Sequence, residues 1–232
     1  MKKIVIIGGG AAGLMAACSA NYIYRNGGAE ITAVEKNERP ARKLMITGKG
    51  RCNVCNNCDI DTLIANIPEN GRFLYSAFSG FAPQDTMTFF ESLGVPLKTE
   101  RGNRVFPVSD KAADIADALV KAAKRGGTKI IHGRAKKILT ENGAVSGVLL
   151  ENGETLPADS VILATGGMSY PLTGSTGDGY KMARALGHTV AEIKPSLVAL
   201  NAHEGFCERL AGLSLKNVTL SVFEEGKKKP VF

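Results

Sequence analysis

Three glycines near the N-terminus have the spacing of a nucleotide-binding turn. Gly8, Gly10 and Gly13 form the pattern G-x-G-x-x-G between an apolar run and a segment with helical spacing. In this pattern the first glycine permits a tight turn, the second lets backbone approach a pyrophosphate, and the third lets helix and strand pack closely. The helix N-terminus then offers free N–H groups and a partial positive charge to the phosphates.

Glu35 lies where such a unit places an acid that binds ribose. It follows Gly13 by roughly 22 residues, at the end of the next apolar run, where a carboxylate accepts hydrogen bonds from ribose hydroxyls. The alternative is a surface carboxylate that pairs with Lys36 or Arg39. Together with the glycines, this acid predicts dinucleotide binding. An acid here repels a 2′-phosphate, so the unit is not expected to hold NADP.

Three cysteines form a cluster that suggests a metal site or a redox site. Cys52, Cys55 and Cys58 have the spacing C-x-x-C-x-x-C, which is typical of ligands to zinc or an iron–sulfur cluster. Such sites need a fourth ligand, and no nearby cysteine or histidine supplies one, so we expect no metal. A redox dithiol and an inert thiol beside a cofactor are the alternatives.

A strand, a helix and a second strand should position the glycine turn and Glu35. The β-branched run Lys3–Ile7 predicts the first strand, Ala11–Tyr24 has small and apolar residues at helical spacing, and Glu30–Val34 predicts the second strand. Gly27 and Gly28 should end the helix. In a βαβ unit of this kind the two strands are parallel.

Downstream, the pattern changes from helices to a meander. Pro83–Leu93 carries a helical stripe, and Ser109 is predicted to cap a second helix that ends at Gly126. Between residues 129 and 165, short apolar runs are separated by Asn-Gly pairs at 142–143 and 152–153, which predicts an antiparallel meander. Val161–Ala164 should be a buried strand that ends in the glycine-rich segment 165–167.

The C-terminal segment is predicted to begin a new unit. After Pro195, the segments Leu197–Asn201 and Leu215–Phe223 have the composition of strands. The sequence therefore predicts an α/β protein with a Rossmann-type domain over residues 1–195. The start of an incomplete, mostly β domain follows over residues 196–232.

The composition of the chain limits the classes of protein to which it can belong. With 232 residues, of which 44% are hydrophobic, the chain can bury a core, and no apolar run is long enough to span a membrane. Five cysteines without a secretory signal favour reduced thiols and a cytoplasmic location. The net charge of +7 suits nucleic acid, an anionic cofactor or an acidic substrate. The dense lysine run, 227–229, is expected to be a solvated turn.

Five motifs in order resemble the bacterial FAD/NAD(P)-dependent oxidoreductases known as BaiN-like, and the resemblance covers essentially the whole chain. The motifs are Gly8 to Gly13, Arg42 to Asn53, Arg104 to Pro107, Ala164 to Pro171 and Gly174 to Tyr180. The resemblance implies a glutathione-reductase-like FAD domain interrupted by an inserted, mostly β domain. It also implies that this chain is an N-terminal part of a longer protein and binds FAD more weakly than the whole.

The motifs and the resemblance together imply a set of FAD-binding residues. The AMP half is expected on the glycine turn and Glu35, and the flavin half near residues 43–53, with Lys43 and Arg51 as the preferred cationic contacts. Asp178 is expected either to bind the ribityl chain or to cap the following helix. The expected residues are Gly8, Gly10, Ala11, Ala12, Gly13, Glu35, Lys36, Lys43, Leu44, Gly50, Arg51, Cys52, Asn53, Ala135, Thr165, Gly166, Gly167 and Asp178.

The function implied is hydride transfer between FAD and either NAD(P)H or an organic small-molecule substrate. No general acid or base emerges from the sequence, which agrees with chemistry carried chiefly by the flavin. The alternatives are a flavin-linked modifier of nucleic acid such as tRNA, and a non-catalytic flavin-binding subunit. Nucleic acid is the less expected partner, because no RNA-binding motif with interleaved aromatic and basic residues is present.

Overall fold

A computed structural model gives the structure of the protein and describes residues 1–195, 203–215 and 217–230. The chain divides into two compact units, Met1–Ala191 and Glu192–Phe232. The strands of the first unit are β1 (Lys2–Ile7), β2 (Ala29–Glu35), β3 (Leu97–Glu100), β4 (Arg104–Pro107), β5 (Lys129–His132), β6 (Ala135–Glu141), β7 (Ala144–Leu150), β8 (Thr155–Pro157) and β9 (Ser160–Leu163). Its α-helices are α1 (Ala11–Ile23), α2 (Ile60–Ala65), α3 (Tyr75–Gly80), α4 (Pro83–Ser92), α5 (Ala112–Arg125) and α6 (Asp178–Ala185).

A four-stranded parallel sheet in the order β5-β2-β1-β9 forms the centre of the first unit. The predicted βαβ unit is therefore confirmed, and the carboxyl ends of β1 and β2 lie side by side, with Ile7 opposite Val34. The last strand was predicted to be buried, but β9 is half-buried at the sheet edge and Leu163 is 38% exposed. A ligand crevice is expected outside the carboxyl ends of these strands.

The two faces of β1 belong to two hydrophobic cores. Because side chains alternate along a strand, Ile4 and Ile6 pack in the core that includes α1 and α5, whereas Val5 and Ile7 pack in the core that includes the meander. A strand covered on both faces reads as a continuous apolar run. This explains why β1 showed no alternation in the sequence.

The predicted antiparallel meander is confirmed as the sheet β6-β7-β8. At its first turn Asn142 and Gly143 have φ values of 51° and 77°. Two consecutive positive φ values are the requirement of the hairpin turn that Asn-Gly pairs favour. The meander packs through Ile138, Val148 and Leu150 onto the sheet.

The two predicted helices are present, but one cap is wrong. Helix α4 covers Pro83–Ser92, as expected. Helix α5 ends at Gly126, as expected, but its N-cap is Lys111 and not Ser109. Asp110 between them has a φ of 55°, which a helix cannot accommodate, so the helix begins only after it. The residues before α5 instead belong to the antiparallel pair β3 and β4 and the turn that follows it.

The second unit contains one short helix, α7 (Phe206–Arg209), in its described residues. The predicted strand Leu215–Phe223 is wrong for the part described, since Leu215 and residues 217–223 form no strand and Leu215, Leu220 and Phe223 are exposed. The predicted strand Leu197–Asn201 lies outside the described residues, and the inserted domain stays a prediction. Among the helices that the structure describes, none has the length and apolarity to cross a membrane.

Candidate nucleotide-binding site

The three motif glycines have different roles in the turn after β1. A Cβ atom on Gly8, which has a φ of +112°, would lie 2.3 Å from the Ala164 carbonyl oxygen. On Gly13 it would lie 1.8 Å from the Gly8 carbonyl oxygen, which shows how closely helix and strand approach. On Gly10 it would meet no atom within 4 Å in the part of the chain that the structure describes. Two of the glycines therefore serve the fold, and Gly10 leaves room for a ligand.

The N-terminus of α1 is open for an anion. Gly10 is the N-cap, no side chain caps the helix, and its first turn holds no acidic residue. The first-turn N–H groups are therefore available, and the helix dipole adds a partial positive charge. This is the arrangement that binds phosphate groups in Rossmann units.

Glu35 ends β2 beside the glycine turn and is 7% exposed. Its carboxylate accepts hydrogen bonds of 2.7 Å from Gly9 N–H, from Asn37 N–H and from the Asn37 amide. The alternative of a surface ion pair is wrong, because Lys36 instead donates to Asp178 and Arg39 pairs with Asp117. The glycine turn thus holds Glu35 in place, and the turn and Glu35 are predicted to bind the same dinucleotide.

A cavity of about 500 Å³ runs along the carboxyl edge of the parallel sheet. Its wall brings together residues from the glycine turn, the end of β2, the segment 43–53, the start of β6 and the segments that precede and begin α6. The predicted cofactor residues in its wall are Gly8, Gly10, Ala11, Ala12, Glu35, Lys36, Lys43, Leu44, Cys52, Asn53, Ala135, Thr165, Gly166 and Asp178.

Four predicted residues are not part of the cavity wall. Gly13 lies beneath the turn, where it contacts Gly8, and Gly50 is exposed. Gly167 is a neighbour of Tyr180, and Arg51 points to the β3–β4 hairpin. Their assignment as cofactor ligands stays a prediction.

The wall also contains residues that no sequence motif had indicated. Arg134 follows β5, so the rule that ligands bind at the carboxyl ends of parallel strands was a signal that could have found it. Phe81 and Phe89 line the cavity from the α4 region, where a helical apolar stripe gave no sign of a site. The missed polar residues are Asn37, Thr47, Thr86, Thr173 and Ser175.

Asp178 joins three elements at the Glu35 end of the cavity. It accepts hydrogen bonds from Lys36 at 2.8 Å, Thr176 at 3.0 Å and Arg134 at 3.2 Å, and its side chain is 15% exposed. Burial acts to raise the pKa of Asp178, but the bonds from Lys36 and Thr176 and the charges of Lys36 and Arg134 outweigh it, so the pKa is lowered. Gly177 is the N-cap of α6 and no side chain caps that helix, so the predicted capping role is wrong.

Asp178→Asn is expected to destabilise the protein at neutral pH and to make its stability less sensitive to acid. A carboxylate with a lowered folded-state pKa contributes its full stability above the unfolded pKa, near 4, and loses it as pH falls through the folded pKa. We expect a loss of about 1 to 2 kcal/mol at pH 7 that shrinks below about pH 4. Urea unfolding across this range measures it. Asp117→Asn is the control, because its ion pair with Arg39 is exposed. A pH-independent loss would contradict the expectation.

Lys43 links the segment 43–53 to the loop after β9. Its ammonium donates to the Ser169 carbonyl at 3.0 Å and to the Ser169 hydroxyl at 2.9 Å, and it lies 5.9 Å from the centre of the Tyr170 ring. These partners are neutral, so the positive charge of Lys43 at the cavity wall is not cancelled by them. This places a cation where the flavin half was predicted.

The clustered cysteines are free thiols with raised pKa values. Burial raises the pKa of Cys55 to about 11, with a further contribution from Cys58, and burial also raises that of Cys52. Such thiols remain protonated at neutral pH and are poor nucleophiles. In the part of the chain that the structure describes, no three metal-ligating side chains converge. The absence of a metal stays a prediction for elemental analysis, and Cys52 alone of the three lines the cavity.

The parallel sheet, the glycine turn and the acid at the end of β2 define a Rossmann-type domain. The chain belongs to the family described as HI0933-like protein Rossmann domain, whose sequence profile matches residues 2–232. This confirms the resemblance drawn from the five motifs.

Comparison with curated proteins and solved structures agrees with this family and fold. The chain is 36% identical over 214 residues to the 3-dehydro-bile acid delta(4,6)-reductase of Clostridium scindens, covering 92% of this chain and 51% of that protein. It is 29% identical over 218 residues to the ribosomal RNA dihydrouridine synthase of Escherichia coli, covering 92% and 52%. The chain thus spans about half the length of these relatives.

Among solved structures, an adenosine-5-phosphosulfate reductase matches with a TM-score of 0.51 at 21% identity, over 78% of this chain and 35% of that one. At this level of identity the match concerns the fold alone.

Proposed function

We propose that this domain binds FAD and forms the flavin-binding part of an oxidoreductase that transfers hydride between NAD(P)H or an organic substrate and the flavin. One observation carries the proposal. A single cavity connects the glycine turn and Glu35 with Lys43, Cys52 and Asn53. It therefore offers sites for both halves of a dinucleotide in the order that the sequence motifs predict.

The AMP half fits the end of the cavity at the glycine turn. The open N-terminus of α1 faces a space that a Cβ on Gly10 would enter, which suits the pyrophosphate. Glu35 would accept the ribose hydroxyls, and its charge disfavours a 2′-phosphate. Lys36 and Ala135 are proposed to contact the adenine, since both line this end of the wall.

The flavin half is proposed to lie between the segment 43–53 and the loop after β9. Lys43 supplies a positive charge, and Thr165 and Gly166 supply backbone. The contact of Asp178 with the ribityl chain stays a prediction, because Asp178 binds Lys36 and Arg134 at the Glu35 end of the cavity. When bound, the flavin supplies the hydride acceptor, while the protein's residues bind it, orient it and exclude water. The apolar side chains of Phe81, Phe89 and Leu44 are proposed to exclude water.

Glu35→Gln is expected to weaken FAD binding by roughly 10- to 100-fold, since it removes a charged acceptor and turns one carboxylate oxygen into a donor. Calorimetry or the quenching of flavin fluorescence measures the change. Glu38→Gln is the control, because Glu38 is exposed three residues further on. Equal affinities in the two variants would remove Glu35 from the ribose site.

The electron donor and the catalytic role are tested together by anaerobic reduction of the bound flavin with NADH and with NADPH. Reduction by either supports the oxidoreductase, and the faster of the two identifies the donor. A bound flavin that neither nicotinamide nor any of a panel of organic substrates reduces would instead favour a non-catalytic flavin-binding subunit.

A second candidate function is the modification of ribosomal RNA. The Escherichia coli relative favours it, as does the net charge of +7. Arg42 and Lys49 also contribute, because both are exposed and have no ion-pair partner among the residues that the structure describes, and Arg42 lines the cavity. The affinity for ribosomal RNA fragments should then fall steeply as the salt concentration rises. The slope of log affinity against log salt concentration reports the number of phosphates that the protein neutralises. Affinity that does not depend on salt would exclude this candidate.

A further inference from the structure

The side chain of Arg51 is engaged on the side of its segment away from the cavity. It donates to Asp110 through Nε at 2.9 Å and through Nη2 at 2.6 Å, and it also donates to Glu100. Its guanidinium lies 4.1 Å from the centre of the Phe106 ring. Two carboxylates and an aromatic face thus occupy the group, and Arg51 is not part of the cavity wall.

This ion-pair network joins the segment 47–53 to the β3–β4 hairpin. Glu100 ends β3 and Asp110 follows β4, and Lys98 donates to Asp110 at 2.8 Å and lies 3.5 Å from Glu100. Backbone bonds from Val54 N–H to the Val105 carbonyl, at 2.8 Å, and from Val105 N–H to the Cys55 carbonyl, at 3.0 Å, continue the connection. The hairpin therefore forms a base on which the segment lies.

The segment itself has an unfavourable backbone conformation. Lys49 and Cys52 have φ values of 58° and 62°, in the left-handed region that side chains other than glycine rarely adopt. Its internal hydrogen bonds run from Arg51 N–H to the Gly48 carbonyl at 3.3 Å and from Cys52 N–H to the Thr47 carbonyl at 3.0 Å. Such conformations persist where the surrounding structure holds them, and they occur often at functional sites.

Immediately after Arg51, the chain returns to the cavity. Cys52 is 4% exposed and lines the cavity together with Asn53. The direction in which these two side chains point depends on the left-handed conformation at Cys52. Arg51 is adjacent to this residue and carries the contacts to the hairpin.

We propose that Arg51 is a positioning residue, which clamps the turn 47–53 onto Glu100, Asp110 and Phe106 and so holds Cys52 and Asn53 in the cavity wall. Its role in FAD binding is then indirect, and that part of the inference rests on the proposed function. Without the clamp, the turn relaxes from its left-handed conformation, and the Cys52 thiol loses its buried position.

The test measures the alkylation rate of each cysteine in the cofactor-free protein, resolved by peptide mass spectrometry, in Arg51→Ala, Arg51→Lys and the control Arg39→Ala. Arg39 has an exposed ion pair with Asp117 that includes no residue of this turn. Arg51→Ala should raise the rate at Cys52 at least about tenfold and leave Cys18 unchanged, as expected for local opening. Arg51→Lys should rescue it in part, because lysine keeps the charge but not the planar fork.

Three outcomes separate this inference from the proposed function. An unchanged Cys52 rate in a folded Arg51→Ala protein overturns it, as does an equal rise at all the cysteines together with a fall in thermal stability. FAD affinity is measured in parallel and should fall about tenfold in Arg51→Ala. If the protein without any substitution binds no FAD, the proposed function fails. The alkylation rates of Cys52 then still decide whether Arg51 is a positioning residue.

Discussion

Gly10→Val is expected to abolish FAD binding and to leave the fold intact. Gly10 has an extended conformation, with φ −78° and ψ −173°, which valine adopts without strain. Because a Cβ at this position meets no atom of the described residues within 4 Å, the valine side chain would project into the cavity. There it would occupy the space in which the N–H groups of α1 meet the pyrophosphate. Loss of two or more charge-assisted hydrogen bonds corresponds to a drop in affinity of about 100-fold or more.

The fold should tolerate this change with a loss of about 1 kcal/mol, since valine is a poorer N-cap than glycine. Calorimetric titration with FAD and thermal unfolding measure the two quantities on the same protein. Gly80→Val provides a matched control, because a Cβ on Gly80 also meets open space and the residue does not line the cavity. Normal FAD affinity in Gly10→Val would show that the pyrophosphate does not lie at this turn.

Gly13→Val, three residues further along the same motif, is expected to prevent stable folding. A Cβ there would lie 1.8 Å from the Gly8 carbonyl oxygen, 3.0 Å from its carbon and 3.3 Å from Ile6. The two nearest atoms are backbone, so they cannot rotate away, and α1 would have to separate from β1. That separation exposes Leu14 and Ala17, which are fully buried on the inner face of α1. The expected cost is about 3 kcal/mol or more, against a total stability of roughly 5 to 15 kcal/mol for a domain.

Urea unfolding measures this loss, and insoluble expression would be its extreme form. Gly10→Ala serves as the control, because it adds the same Cβ to the same turn without a clash. A Gly13→Val protein as stable as this control would contradict the close contact between helix and strand. Gly10→Val and Gly13→Val together thus distinguish the glycine needed for ligand binding from the glycine needed for the fold.

Local signals in the sequence were enough to predict the elements that form the nucleotide end of the site. The βαβ unit, the glycine turn and Glu35 lie within 35 consecutive residues, and contacts such as those of Gly13 with Gly8 and of Gly9 with Glu35 form within that stretch. The hairpin at Asn142 follows the same logic, since Asn142 and Gly143 both have the positive φ values that the turn requires, whereas in the second pair only Gly153 has a positive φ. The prediction that Ser109 caps α5 was wrong for another local reason, because Asp110 has a left-handed conformation and the helix begins only after it.

Only the tertiary structure decided which of the basic residues at 42–51 face the cavity. In the sequence, Lys43 and Arg51 were equal candidates, because both are basic and both lie in the same short segment. Lys43 lines the cavity, whereas Arg51 turns to Glu100 and Asp110, which come from the β3–β4 hairpin. The direction of a long side chain is set by partners that folding brings close from distant parts of the chain. The spacing of a motif predicts which backbone segment binds a ligand. It does not predict which distant residues will bind the side chains of that segment.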